Sequence, residues 1–295
     1  MKLTVLVDNN TLIDRYYIAE PGLSFYIEDG DRKILFDAGY SNAFIANATR
    51  MQIDLLDLDF VVLSHGHLDH TWGLTSFIRL YNESLLQKRQ YKRPTLVAHP
   101  QAIESGSYER EVTIGPILSQ EALNAFFDIR LSKEPVQLTE RLFFLGEIAR
   151  ENNFEAGVPV GNRIEGGCEV EDFIIDDSAL AYRSSDGLVI ITGCSHAGIC
   201  NIIEQAKRVC RTDRVADIIG GFHLLNPSDV QLAGTLRYLK DLSPDVVHAC
   251  HCTDLESKIA ISHNVNIAEV GVGLTLEYQG ASDQPPLDPP IMGGS

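Results

Sequence analysis

His65-Gly66-His67-Leu68-Asp69-His70 follows, after Ser64, directly on the apolar run Phe60-Val61-Val62-Leu63. The apolar run is short and partly β-branched, and it reads as a buried strand. The polar run brings three imidazoles and a carboxylate onto one short stretch of backbone, a donor set that suits Zn²⁺, Fe or Mn. Gly66 is expected to let the chain turn sharply after the strand. The donors then sit on a loop at a strand end, held by a rigid scaffold, where reactive groups concentrate. His65 and His67 can face one ion. Asp69 and His70 reach a neighbouring position and begin a second site. Two ions about 3.5–4 Å apart can clamp the attacking and leaving oxygens of a displacement. A polar loop with chance histidines is the competing reading, and a single histidine would favour it.

The same grammar recurs along the chain. Leu3–Val7, Leu23–Ile27 and Lys33–Phe36 read as strands, with Glu28-Asp29-Gly30-Asp31 as a turn. Residues 41–51 carry helical spacing with Ser41 as N-cap. A helix over 71–86 and a strand over 95–98 follow. In the second half, 141–145, 180–183 and 188–192 read as strands, with Ser184-Ser185-Asp186-Gly187 as a hairpin turn. Helices are expected over 197–209 and 228–239, and strands over 215–219, 246–249 and 271–277. Two β-rich halves that each finish in helices suit two packed sheets with helices outside. The spacing predicts one domain over residues 1–280. The Gly-rich stretch 146–172 is too long for an ordinary connection and is expected to cover the cleft as a lid. Residues 281–295, with Pro285-Pro286 and Pro289-Pro290, are expected to form a flexible tail.

Composition narrows the function classes. The chain has 295 residues, 44% of them hydrophobic, enough for a large layered core. A net charge of −17 argues against nucleic acid and anionic membranes as partners. The one dense basic run, Lys88-Arg89-Gln90-Tyr91-Lys92-Arg93, reads as a solvated helix end or turn. No apolar stretch approaches the roughly 20 residues of a membrane span, and the N-terminus meets Asp8 too early for a signal peptide. The cysteines Cys168, Cys194, Cys200, Cys210, Cys250 and Cys252 are then expected to be reduced thiols in a cytoplasm.

The His-x-His-x-Asp-His run after a strand resembles the signature of the metallo-β-lactamase superfamily. Glu20-Pro21-Gly22-Leu23-Ser24, Leu35-Phe36-Asp37-Ala38-Gly39, Gly193-Cys194-Ser195-His196-Ala197-Gly198-Ile199, Gly220-Gly221-Phe222-His223-Leu224 and Cys250-His251-Cys252-Thr253 narrow the resemblance. They look like the branch labelled dihydropteroate-synthase-like, or dihydropterin-ribofuranosyl-aminobenzene-phosphate synthase. The resemblance runs from about Leu3 to Glu277. It implies a mixed α/β chain folded as a four-layer αββα sandwich, and a phosphorylated pterin precursor as substrate.

One loop cannot complete two metal positions. His196 follows the strand 188–192 after Gly193, and His251 follows 246–249 in the same manner; these are the next expected ligands. Most members of the resembling superfamily carry a metal-bridging Asp at the position of Cys194. Cys194 as thiolate is one replacement; His196 with Asp176 or Asp177 is the other. In an extended backbone Cys250 and Cys252 point away from His251, so both thiols are expected to pack beneath the site. Asp37, at the end of its strand, is expected to accept an imidazole N–H and fix a ligand's orientation, as the acid kept there in the resembling families implies. His223 is expected to act as an acid or oxyanion stabiliser facing substrate. His99 is a candidate for the cleft wall, His248 for packing and His263 for the surface.

The reaction that follows is hydrolysis by a metal-bound hydroxide, the ions lowering the pKa of bound water toward about 7. Two Zn²⁺ are expected, with Fe or Mn as alternatives. Asp69 would hold metal and steer the water's proton, and His223 would serve the leaving group. The expected substrate is a small anionic phosphoester, cyclic phosphate or lactone. An iron-bound redox or electron-transfer protein and a non-catalytic metal-binding protein are the alternatives. No four-cysteine cluster spacing supports the redox reading, and no Gly-x-Ser-x-Gly elbow surrounds Ser195.

Overall fold

Alternation along the strands sets the layers. In Lys2–Val7, Leu3 and Val5 face one way and Leu6 the other, until an irregularity between Val5 and Val7 returns Val7 to the side of Leu6. The computed structural model describes residues 1–104, 106–109 and 112–281. Its first large sheet runs, edge to edge, Thr275–Glu277, Lys2–Val7, Ser24–Asp29, Arg32–Phe36, Phe60–Val62, Thr95–Ala98 and Asp128–Leu131. The second runs Val246–Cys250, Val215–Gly221, Gly187–Thr192, Ala179–Ser184, Leu142–Phe144 and Val136–Gln137. Val5, Phe25, Phe36, Val62 and Val97 of the first meet Phe144, Leu180, Val189, Ile191 and Ile219 of the second in a fully buried layer.

The opposite faces carry the helices. Phe44 of Ala43–Arg50 and Phe77 and Tyr81 of Leu74–Leu86 pack on Leu35, Val61 and Leu96. Ile202, Ile203 and Ala206 of Ile199–Cys210, with Leu239 and Ile261 from the two later helices, pack on Ala181, Leu188, Ile190 and Ile218. The arrangement is the four-layer αββα sandwich expected from the sequence.

Strand direction places the site. Arg32–Phe36, Phe60–Val62 and Thr95–Ala98 are parallel, so Asp37, the His65 loop and His99 leave one edge together. Lys2–Val7 lies two antiparallel steps from Arg32–Phe36 and delivers Asp8 and Asn9 to the same edge. In the second sheet Gly187–Thr192, Val215–Gly221 and Val246–Cys250 are parallel, and their ends carry Cys194 and His196, His223, and His251. Such carboxyl ends are where open sheets bind ligands.

Several expectations change. The stretch 146–172 is not structureless. Asn162–Glu165 and Cys168–Glu171 form a hairpin, joined to Gly106–Glu109 and Val112–Thr113 in a small third sheet. The buried Glu155 ties it down: its carboxylate accepts the amides of Cys200 at 3.1 Å and Asn201 at 3.3 Å, in the first turn of the helix after His196. Gly66 lacks the positive φ of a sharp turn. A Cβ there would sit 2.8 Å from the Ala102 carbonyl oxygen, so close approach demands the glycine. Ser41 is not the cap residue of its helix; Asn42 is, although Ser41 Oγ accepts the Ala43 amide. The expected tail lies outside the described residues beyond Ala281.

Candidate metal centre

Asp37 organises the inner wall. Its Oδ1 accepts the Ser64 amide at 2.8 Å, and its Oδ2 accepts the Ser64 hydroxyl and the His70 Nδ1 proton, each at 2.7 Å. The Ser64 hydroxyl spends its single proton on that carboxylate. Its oxygen therefore accepts from His65 Nδ1 at 2.9 Å. His251 Nδ1 gives its proton to Asn9 Oδ1 at 3.0 Å, and the His251 amide is held by Asp8 Oδ1 at 3.0 Å. In all three rings the Nδ1 proton is committed, which makes Nε2 the atom each ring can offer to an ion. The buried Nε2 atoms of His65 and His67 and both ring nitrogens of His196 have no hydrogen-bond partner. Buried polar atoms left this way call for a ligand or ion.

The donors form two groups with one member in common. Asp69, His70, Cys194 and His251 offer donor atoms all within 4.8 Å of one another, and so do His65, Cys194 and His196. The His67 ring stands 4.6 Å from that of His65 and 4.7 Å from that of His196. His223 lines the cleft with its ring 4.2 Å from that of His196. Among the described residues Asp177 enters neither group. Its Oδ2 accepts the Ala197 amide at 2.8 Å, and Asp176 likewise accepts that of Gly66 at 2.8 Å. Both acids serve as loop anchors, and burial raises them, to about 7 and about 6 respectively.

Electrostatics sort the ligands. Burial pushes His65 and His196 well below the usual imidazole range and His67 to about 4, so these rings are neutral and have lone pairs to give. Burial opposes charge on His70 too, but the Asp69 and Asp37 carboxylates outweigh it and raise His70 to about 9. Burial likewise works against the Asp69 carboxylate, yet His70 and His251 hold it well below its usual range. The pocket thus favours positive charge at one point between Asp69, His70 and His251.

Backbone strain concentrates here. Asp37, Ser195, His223 and His251 all have φ between 50 and 62°. A non-glycine residue in that region costs roughly 1–2 kcal/mol. The left-handed His251 corrects the reading of its neighbours. Cys250 is buried between the sheets as expected, but the reversal swings Cys252 round into the cleft, where its sulfur lies 3.3 Å from the Cys194 carbonyl oxygen. His99 is not a wall residue: it is buried, pairs with Glu147 at 3.1 Å and accepts the Gln101 amide. Ser195 gives its proton to the Gly221 carbonyl at 2.6 Å. Asp8, Asn9 and Ser64 are the site residues that pattern reading missed. The signal existed: Asp8-Asn9-Asn10 is a polar tip directly after an apolar strand, as at His65.

Comparison agrees with this geometry. Residues 17–109 match the family model of the metallo-beta-lactamase superfamily. The chain belongs to that superfamily, and its fold is the superfamily's. Within it, the chain is 30% identical over 271 residues to the 7,8-dihydropterin-6-methyl-4-(beta-D-ribofuranosyl)-aminobenzene-5'-phosphate synthase of Methanocaldococcus jannaschii, covering 88% of this chain and 89% of that one. Among solved structures, Tm1679, described as a metal-dependent hydrolase of the beta-lactamase superfamily, aligns with a TM-score of 0.78 at 28% identity, covering 95% of this chain and 99% of that one. The metallo-beta-lactamase fold protein YhfI from Bacillus subtilis shares the fold at 13% identity, with a TM-score of 0.52 and coverage of 94% and 99%.

Proposed function

We propose that this chain is a metal-dependent hydrolase acting on a small anionic phosphoester, cyclic phosphate or lactone, with a phosphorylated pterin precursor as the specific candidate. The observation that carries the reading is the pair of donor groups at the cleft base, with the buried ring nitrogens of His65, His67 and His196 left without a partner. His65, His67 and His196 would hold one ion, and Asp69, His70 and His251 a second. Zn²⁺ is the expected metal, since imidazoles supply most of the donors in both sets. Bound there, such ions supply a water acidified toward neutral pH and a Lewis acid for developing charge.

The remaining work falls to the chain. Asp69 stays ionised across the neutral range and can take a hydrogen bond from an attacking water. His223 retains its proton more readily than a free imidazole: burial opposes this, but contact with Cys252 outweighs it. It is placed to protonate a leaving oxygen. The cleft holds about 780 Å³, enough for a drug-sized molecule, and Lys258 is the one Lys or Arg among its described lining residues. Lys258 would receive the substrate's anionic group. A side pocket of about 240 Å³ adjoins at His196 and His223, lined in part by Phe154, Val158 and Phe173, and offers room for the substrate's apolar body. Among the described residues no helix is long and apolar enough to cross a membrane, and all six cysteines are free thiols. Both suit the cytoplasm we propose.

Zinc-loaded protein is expected to turn over a phosphodiester or lactone from a small panel, to lose activity to a chelator, and to regain it with Zn²⁺. Protein that binds iron with a visible absorption band and never turns over would instead be a redox carrier. The relative's name supports a second reading, in which a phosphorylated dihydropterin compound is made rather than cleaved. Product analysis with a pterin substrate separates the two.

Asn9→Ala is expected to release the His251 ring and weaken one of two bound ions by roughly 10–100-fold, the other being unchanged. Competition with a chromophoric chelator reads both affinities. Equal weakening of the two would show that Asn9 supports the loop rather than the ligand.

A further inference from the structure

The two donor groups overlap at a single atom. Cys194 Sγ lies 3.2 Å from His70 Nε2 and 3.2 Å from His251 Nε2, and those two nitrogens are 3.2 Å apart. Asp69 Oδ2 stands 3.3 Å from His251 Nε2 and 3.7 Å from His70 Nε2. Donors on a tetrahedral ion with bonds of 2.0–2.3 Å are separated by about 3.3–3.6 Å. The quartet nearly has that spacing already. Hydrogen bonding does not account for all of it. The rings have spent their Nδ1 protons on Asp37 and Asn9, so the three mutual contacts share at most the thiol proton and one Nε2 proton on His70, and at least one contact has no hydrogen between its atoms. On its other side the same sulfur belongs to the group formed with His65 and His196, whose ring nitrogens are buried and unpartnered.

We propose that Cys194 is the shared ligand of the centre, its thiolate joining both ions. This deepens the reading above and rests on it. Among the described residues no other donor belongs to both groups: Asp69 belongs to one, and Asp177 to neither, its Oδ2 accepting the Ala197 amide while its buried Oδ1 has no partner. The Cys194 side chain is 4% exposed, so the sulfur faces donors rather than solvent. Ion binding replaces the thiol proton, which leaves to solvent; sulfur then carries the negative charge between two cations. A shared sulfur selects for borderline and thiophilic ions such as Zn²⁺, Co²⁺ and Fe²⁺, and against Mg²⁺, Ca²⁺ and Mn²⁺, which take oxygen.

Cobalt is the probe, because sulfur bound to Co²⁺ gives a near-ultraviolet charge-transfer band. Full-length protein freed of metal is titrated with Co²⁺, and stoichiometry and spectrum are read together. Expected is a band that grows with both equivalents, persists in Cys252→Ser and disappears in Cys194→Asp, which still binds cobalt and takes Mn²⁺ better than the parent does. Should Cys194→Asp fail to fold, Cys194→Ser gives the same spectral reading, and the parent and Cys252→Ser spectra still decide which thiol is bound. Two equivalents bound without a sulfur band, or a band lost in Cys252→Ser alone, overturns the assignment and leaves the metal pair standing. A parent protein that binds no cobalt overturns both.

Discussion

Asp37→Ala is expected to weaken both ions together, each by roughly 10–100-fold, and to destabilise the ion-free fold by about 3 kcal/mol or more. The carboxylate is fully buried and accepts three hydrogen bonds, from the Ser64 amide, the Ser64 hydroxyl and His70 Nδ1. Alanine strands three buried donors, each worth about 1–3 kcal/mol when unsatisfied. It also frees His70, which belongs to one donor group, and through Ser64 releases His65, which belongs to the other. The paired loss is the diagnostic feature. Ser64→Ala cuts only the branch to His65. Chelator competition gives the two affinities, and urea unfolding of ion-free protein gives the stability. Loss confined to one ion in Asp37→Ala would mean that the link through Ser64 does not orient His65.

Gly193→Ala is expected to damage the donor cage directly. A Cβ there would fall 2.1 Å from Ser64 Oγ, 2.6 Å from Ser64 Cβ and 3.2 Å from Asp37 Oδ2. The loop that carries Cys194 and His196 must then part from the loop that carries His65. Overpacking in a rigid interior costs about 1–3 kcal/mol or more, and here the displaced atoms are the donor supports. The expected result is loss of ion binding with a clear fall in melting temperature. Ser64→Gly removes the clashing side chain, so the double variant should regain stability without regaining tight binding. The measurement is a double-mutant cycle on thermal unfolding; a strictly additive cycle would place the strain elsewhere.

The fold was legible because its strands are short apolar runs and its turns are marked by glycine and aspartate, so two sheets with outer helices followed from pattern. His65, His67, Asp69 and His70 were legible as a run, and His196 and His251 as polar residues just past apolar strands. Asn9 escaped for a topological reason. Its strand comes two antiparallel steps before Arg32–Phe36, and nothing local says that its end joins the same edge. Cys252 would pack beneath the site only on an extended backbone, whereas His251 adopts a left-handed conformation that sequence signals only in glycine and, weakly, asparagine. Gly66 and Gly193 look alike as turn residues, yet close approach of a neighbouring loop is what requires each. The hairpin in 146–172 was hidden by its polar composition, because it pairs on the surface and buries little.

The Asp8–His251 hydrogen bond joins residues 243 positions apart, and the strand that Asp8 follows, Lys2–Val7, is itself flanked by Thr275–Glu277. A nascent polypeptide on the ribosome therefore carries the His65 loop long before the rest of the cage exists. Ion capture on this reading is a late event that follows release of nearly the whole chain, and half-made copies draw little from the cell's scarce supply of free transition metal.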